Sequence, residues 1–172
     1  MQIADALIIA VNMEKLNYFI GFDDYSDVRL SEFEQAIKNM PKKQVGSITI
    51  EELCSVSKYP NGIYLLFDES DALWYVGKAT SRSFIERIPA HFDPREEAWF
   101  NSLPKSIMKK DSLDYNSALQ TALTLKIGLI GVTDKIVATR LETVLRSYLK
   151  PKLNTCKGSF QPADKLGLIL TL

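Results

Sequence analysis

Asn61-Gly62-Ile63-Tyr64-Leu65-Leu66-Phe67-Asp68-Glu69-Ser70-Asp71-Ala72-Leu73-Trp74-Tyr75-Val76-Gly77 is the stretch on which the reading of this chain turns. Gly62 to Phe67 and Leu73 to Val76 are short runs of aromatic and branched side chains, the composition of strands. The polar segment Asp68-Glu69-Ser70-Asp71 between them is short enough to fold the second run back on the first as a hairpin. Tyr64 and Tyr75 then lie on neighbouring strands with their phenols close together. Tyr59-Pro60-Asn61 reads as the turn that leads in.

Working outward, Leu30 to Met40 has helical spacing through Phe33, Ala36, Ile37 and Met40, and Pro41 stops it. Thr49 with Glu52 fits a capping box for a short helix over Ile50 to Val56, and Ser83 with Glu86 fits another, with Phe84, Ile85 and Ile88 as its apolar side. Residues 93 to 118, with Pro94, Pro104 and many charges, read as an irregular insertion, with a helix near Asn116 to Leu123. Lys126 to Val132 is a third strand. Thr133 or Asp134 caps the longest helix, Lys135 to Leu149, whose apolar positions repeat at three and four until Pro151 ends it. The pair Gly128-x-x-Gly131 lies inside a strand and lacks a phosphate-loop pattern. The expectation is an α/β fold, a small and mainly antiparallel three-stranded core sheet flanked by helices. Residues 1–57 would form an N-terminal extension, 58–156 the functional domain and 157–172 a C-terminal tail packing on it.

At 172 residues the chain has room for one globular domain with an extension. Its apolar fraction of 46% and charged fraction of 24% are those of a folded protein in water. The net charge is zero, so any nucleic-acid surface must be a local patch rather than a general basic excess. Cys54 and Cys156 are far apart and the chain has one histidine, which excludes a zinc cluster of the usual spacing. The two thiols read as free and buried in a reducing compartment. Met1 to Asp5 lacks a positive leader, and no apolar run approaches the ~20 residues that cross a membrane. The expected location is cytoplasmic, without a membrane partner.

The order Gly62-Ile63-Tyr64, Tyr75-Val76-Gly77, Arg87, Glu142 and Pro151-Lys152-Leu153-Asn154 resembles the GIY-YIG nuclease family over roughly residues 58 to 156. In that family the two tripeptides flank a hairpin, an arginine follows on the next helix, and a glutamate helix closes with a Pro-x-x-Asn exit. The resemblance implies a hydrolase, an endonuclease cutting DNA phosphodiester bonds with Mg²⁺ or Mn²⁺. Such chemistry needs an activated water, a counter-charge on phosphorus and protonation of the leaving oxygen. Glu142 would be the metal carboxylate, and Arg87 would clamp the non-bridging oxygens with its planar fork. Tyr64 would orient or deprotonate the water, which suits a phenol of pKa ~10 only beside a cation, and Lys78 is the candidate cation. By the resemblance, Tyr75 and His91 would contact phosphate or relay a proton, and Asn154 would hold a metal-bound water.

Each residue has a plainer reading. Tyr64 and Tyr75 could be half-buried sheet tyrosines, Glu142 an ion-pair partner of Arg146 one turn away, His91 structural, Lys78 solvated and Asn154 a turn residue. Two departures from the family pattern stand out. The gap from Gly77 to Arg87 is longer than in the excision-repair members, so Arg82 competes with Arg87 for the clamp. Pro89 should also bias Ile88 away from helical angles and disturb the shared face of Arg87 and His91. The sequence shows no helix-turn-helix or zinc finger, so a homodimer or another protein could supply DNA binding. The alternative functions are an inactive nucleic-acid-binding or protein-interaction module and a nuclease subunit that cuts only when a partner delivers DNA.

Overall fold

The computed structural model describes residues 16–56, 58–156 and 158–171. The apolar run Ala4 to Val11 lies outside them. Among the described residues, five strands form one mixed sheet: β1 (Phe19–Gly21), β2 (Lys43–Gln44), β3 (Asn61–Phe67), β4 (Leu73–Ala79) and β5 (Lys126–Val132). The spatial order is β1-β5-β3-β4, with β2 also on β5. β3 runs antiparallel to both β4 and β5, pairing Tyr64 with Gly77 on one side and with Leu129 on the other.

The expected three-stranded antiparallel sheet is therefore corrected. β1 lies parallel to β5 and β2 antiparallel to it, so the stretch before the hairpin is built into the same sheet rather than appended to it. Strands of three and two residues carry too little alternation to announce themselves.

Among the described residues, seven α-helices flank the sheet: α1 (Leu30–Asn39), α2 (Ile50–Ser55), α3 (Phe84–Arg87), α4 (Ser102–Asp111), α5 (Tyr115–Thr124), α6 (Lys135–Leu149) and α7 (Leu166–Thr171). β3 is buried along its whole length, and alternation divides it between two cores. Ile63, Leu65 and Phe67 pack with Phe33 and Ile37 of α1, Leu141 and Leu145 of α6 and Leu166 of α7. Tyr64 and Leu66 pack on the opposite face with Phe84, Ile88, Leu103 and Ile107. The tail after residue 157 thus contributes Leu166 to the first core.

Both capping boxes form, at Thr49 with Glu52 and at Ser83 with Glu86. Asp134, not Thr133, caps α6, accepting from the backbone N–H groups of Ile136 and Val137. Lys150 then takes left-handed angles ahead of Pro151 and closes that helix. Part of the supposed insertion is ordered as α4, and Pro104 stands in its first turn, where the missing N–H has no intrahelical acceptor in any case. Ile88 keeps right-handed helical angles (φ −68°, ψ −53°) despite Pro89, so α3 passes directly into a 3₁₀ turn over Pro89–Phe92. Both cysteines are exposed rather than buried. No helix among the described residues is long and apolar enough to cross a membrane.

Candidate active site

The two glycines of the hairpin are required by packing. A side chain at Gly77 would collide with the phenol of Tyr64 across the strand pair, and one at Gly62 with the ring of Phe84. Each glycine thus lets the tip of an aromatic ring approach the backbone closely.

Tyr64 is 1% exposed and its ring centroid is 6.0 Å from that of Tyr75. Its hydroxyl lies 2.6 Å from Nε2 of His91, which the 3₁₀ turn after α3 carries and which is also 1% exposed. The other ring nitrogen, Nδ1, faces the hydroxyl of Ser102 at 3.4 Å. Burial, reinforced by the Arg87 guanidinium, pushes the imidazole down to about 3, so His91 is neutral at physiological pH. A neutral ring with a short bond at Nε2 suits the phenol donating to that nitrogen and Nδ1–H turned to Ser102. Burial pushes the Tyr64 phenol well above its ordinary value, with Tyr75 adding to the rise and Arg87 opposing it.

The cation acting on Tyr64 is therefore Arg87, whereas Lys78 is spent on a carboxylate. Its Nζ is 3.2 Å from Oε2 of Glu142, and Arg146 donates to Oε1 of the same group at 3.1 Å. The i,i+4 pair with Arg146 thus coexists with a second cation from another element. Lys78 shares a strand face with Val76, on the side of α6, whereas Tyr75 faces the side of α3. The groups meet because a cleft of about 280 Å³ wraps the edge of β4. Tyr75, Lys78, Arg82, Arg87 and Glu142 line it, together with Phe100. Tyr64 and His91 stand behind this cleft and do not line it.

Arg87 is half-buried and, among the described residues, makes no ion pair with a carboxylate. Arg82 is exposed, with its guanidinium 3.8 Å from the centroid of the Phe100 ring. Asn154 is engaged elsewhere: its Oδ1 accepts from the N–H of Val76 at 2.7 Å and its Nδ2 donates to the carbonyl of Val76 at 3.0 Å. The N–H groups of Lys152 and Leu153 donate to the carbonyls of Leu73 and Trp74. The Pro-x-x-Asn exit therefore covers the open edge of β4 as far as Val76, and the cleft begins at the next residue. Asn154 positions the strand that carries Tyr75, Gly77 and Lys78.

No group of three or more His, Cys, Asp or Glu side chains able to hold a metal occurs among the described residues. Glu142 alone fits a hydrated hard cation, which needs one carboxylate oxygen and completes its shell with water and phosphate. The ammonium of Lys78 already sits against Oε2, and the lysine side chain is partly exposed.

Phe100 and Arg82 are the cleft residues that sequence motifs underrated. The aromatic pair Trp99-Phe100 in a charged, proline-containing segment was the available signal. No family model, curated protein or solved structure matches the chain.

Proposed function

We propose that this protein is a metal-dependent endonuclease that hydrolyses phosphodiester bonds of DNA, as the resemblance to GIY-YIG nucleases implies. The observation that carries the reading is the Arg87 guanidinium. It is half-buried, has no carboxylate partner among the described residues, and lines one cleft with Tyr75, Lys78 and Glu142. A half-buried guanidinium without a carboxylate partner is open to an anion, and a phosphate seated between Arg87 and Lys78 would pair with it.

In this reading Arg87 grips the non-bridging oxygens and Tyr75 hydrogen-bonds to the phosphate or the attacking water. Glu142 would hold Mg²⁺ or Mn²⁺, which supplies a Lewis acid for the phosphoryl oxygen when bound. Lys78, released from Glu142, would turn to the phosphate. Tyr64 and the neutral His91 hold the Tyr75 side of the cleft and are poorly placed to take a proton directly from bulk water. Access to both strands of a duplex would require a homodimer, two successive cuts or a partner that delivers DNA.

The neutralisation of Glu142 by two cations supports a second reading, a nucleic-acid-binding or protein-interaction module without turnover. A supercoiled-plasmid assay with Mg²⁺ and with Mn²⁺ separates the two. Metal-dependent nicking that disappears in Glu142→Ala and Arg87→Ala is the expected result. DNA binding without cutting by the intact protein would replace the nuclease reading with the second one. Cutting that needs an added cellular fraction would point to the partner-dependent subunit.

A further inference from the structure

We propose that Trp99 and Phe100 form a stacking platform for an unpaired base of the strand whose phosphate occupies the cleft, so that the preferred substrate carries single-stranded nucleotides beside the cut. This inference rests on the nuclease reading and specifies its substrate. Trp99 is 87% exposed and Phe100 39% exposed, an unusual cost for two adjacent large aromatic side chains. Phe100 lines both the cleft and an adjoining hollow of about 360 Å³, on whose wall Trp99 lies. The aromatic surface is thus continuous with the phosphate-binding side chains.

The platform is anchored. Asn101, fully buried, donates from Nδ2 to the carbonyls of Arg95 (2.8 Å) and Glu96 (3.2 Å) and to the hydroxyl of Tyr115 (2.6 Å). That hydroxyl donates in turn to the carbonyl of Asp93 at 2.6 Å. The segment carrying Trp99 is therefore held at both ends, which lowers the entropy lost when a base docks.

Charge divides the surface into two parts. Lys78, Arg82 and Arg87 outnumber Glu142 in the cleft and suit a backbone phosphate, whereas in the hollow Asp93 and Glu97 outnumber Arg95 and disfavour one. Asp93 is taken up by Arg95, whose Nε and outer nitrogen donate to its two oxygens at 3.0 and 2.7 Å. The hollow offers an uncharged partner the aromatic face of Trp99, while Arg82, stacked on Phe100, lies on the cleft side of the aromatic pair. Bases inside a duplex show only their edges, so a ring face is free to stack on Trp99 only when the nucleotide is unpaired.

The test uses the full chain in EDTA, with a labelled duplex and the same duplex carrying a short single-stranded overhang, followed by fluorescence anisotropy. The overhang should bind more tightly, and Trp99→Ala should weaken that binding by about tenfold while leaving the blunt duplex unchanged. Trp99→Phe should restore most of the loss. Trp74→Phe leaves Trp99 as the single tryptophan, whose emission should be quenched by the overhang and not by the blunt duplex. Equal affinity for both DNAs, equal weakening of both by Trp99→Ala, or absence of quenching overturns the platform. If Arg87→Ala weakens both DNAs and Trp99→Ala neither, stacking falls and the nuclease reading stands. If neither DNA binds in EDTA or with Ca²⁺ supplied in its place, both fall, and a protein-docking role for the aromatic pair takes their place.

Discussion

Protonation of the buried His91 should destabilise the folded protein in mild acid. In the fold its imidazole is buried, bonded to the Tyr64 hydroxyl and held down to about 3, against an ordinary 6.5 in the unfolded chain. A base whose folded pKa is depressed binds its proton first in the unfolded state. Stability is therefore full above about pH 6.5 and falls as the pH drops toward about 3. With these two values, linkage gives a loss of roughly 2 kcal/mol from pH 7.5 to pH 5, and roughly 5 kcal/mol at the acid limit. Near pH 5 most carboxylates, with unfolded values of about 4, contribute little. The perturbation is His91→Gln, which keeps an acceptor for the phenol and removes the titration. Urea unfolding, followed by tryptophan fluorescence at a series of pH values, should show the native protein losing about 2 kcal/mol more than the variant over that interval. His91→Phe serves as the second variant if the glutamine form folds poorly. Equal losses in native protein and variants would show that His91 is not held neutral by its surroundings.

Tyr64→Phe should cost about 1–3 kcal/mol in denaturant unfolding, because it strands the buried Nε2 of His91 without its partner. No coupling between Tyr64→Phe and His91→Gln in a double-mutant cycle would show that the short bond contributes nothing. Gly77→Ala should destabilise by about 1–3 kcal/mol as its methyl is forced against the Tyr64 ring, and an unchanged melting temperature would contradict that packing. Asn154→Ala removes both bonds to the backbone of Val76, so hydrogen exchange at the Val76 amide should accelerate while the centre of β5 stays protected. Lys78→Met should strengthen Mn²⁺ binding severalfold in calorimetry, since the ammonium occupies Oε2 of Glu142, whereas Glu142→Ala should abolish it. Equal affinity in Lys78→Met and native protein would show that metal and lysine do not share that oxygen.

Much of the local structure was written in neighbouring residues. The aromatic and branched run from Gly62 to Phe67 and the polar turn before Leu73 determined the hairpin by themselves. The Ser83–Glu86 and Thr49–Glu52 pairs marked helix starts, and the three-and-four repeat from Lys135 to Leu149 gave the helix its length and buried face. These signals survive because each depends on contacts within one or two turns of chain. α4 escaped notice because Pro104 reads as a breaker unless one knows that it stands in a first turn.

What surrounds the candidate site is a different matter. That Lys78 would go to Glu142, Arg87 act on Tyr64 and His91, and Asn154 to the edge of β4 depended on strand order and on which helix covers which sheet face. β4 is an edge strand whose cover ends at Val76, and the cleft in which side chains from opposite faces of the sheet meet lies beyond that point. Sequence spacing carries periodicity along one element. The burial that lowers His91 and the cations that occupy Glu142 arise only when separate elements pack together.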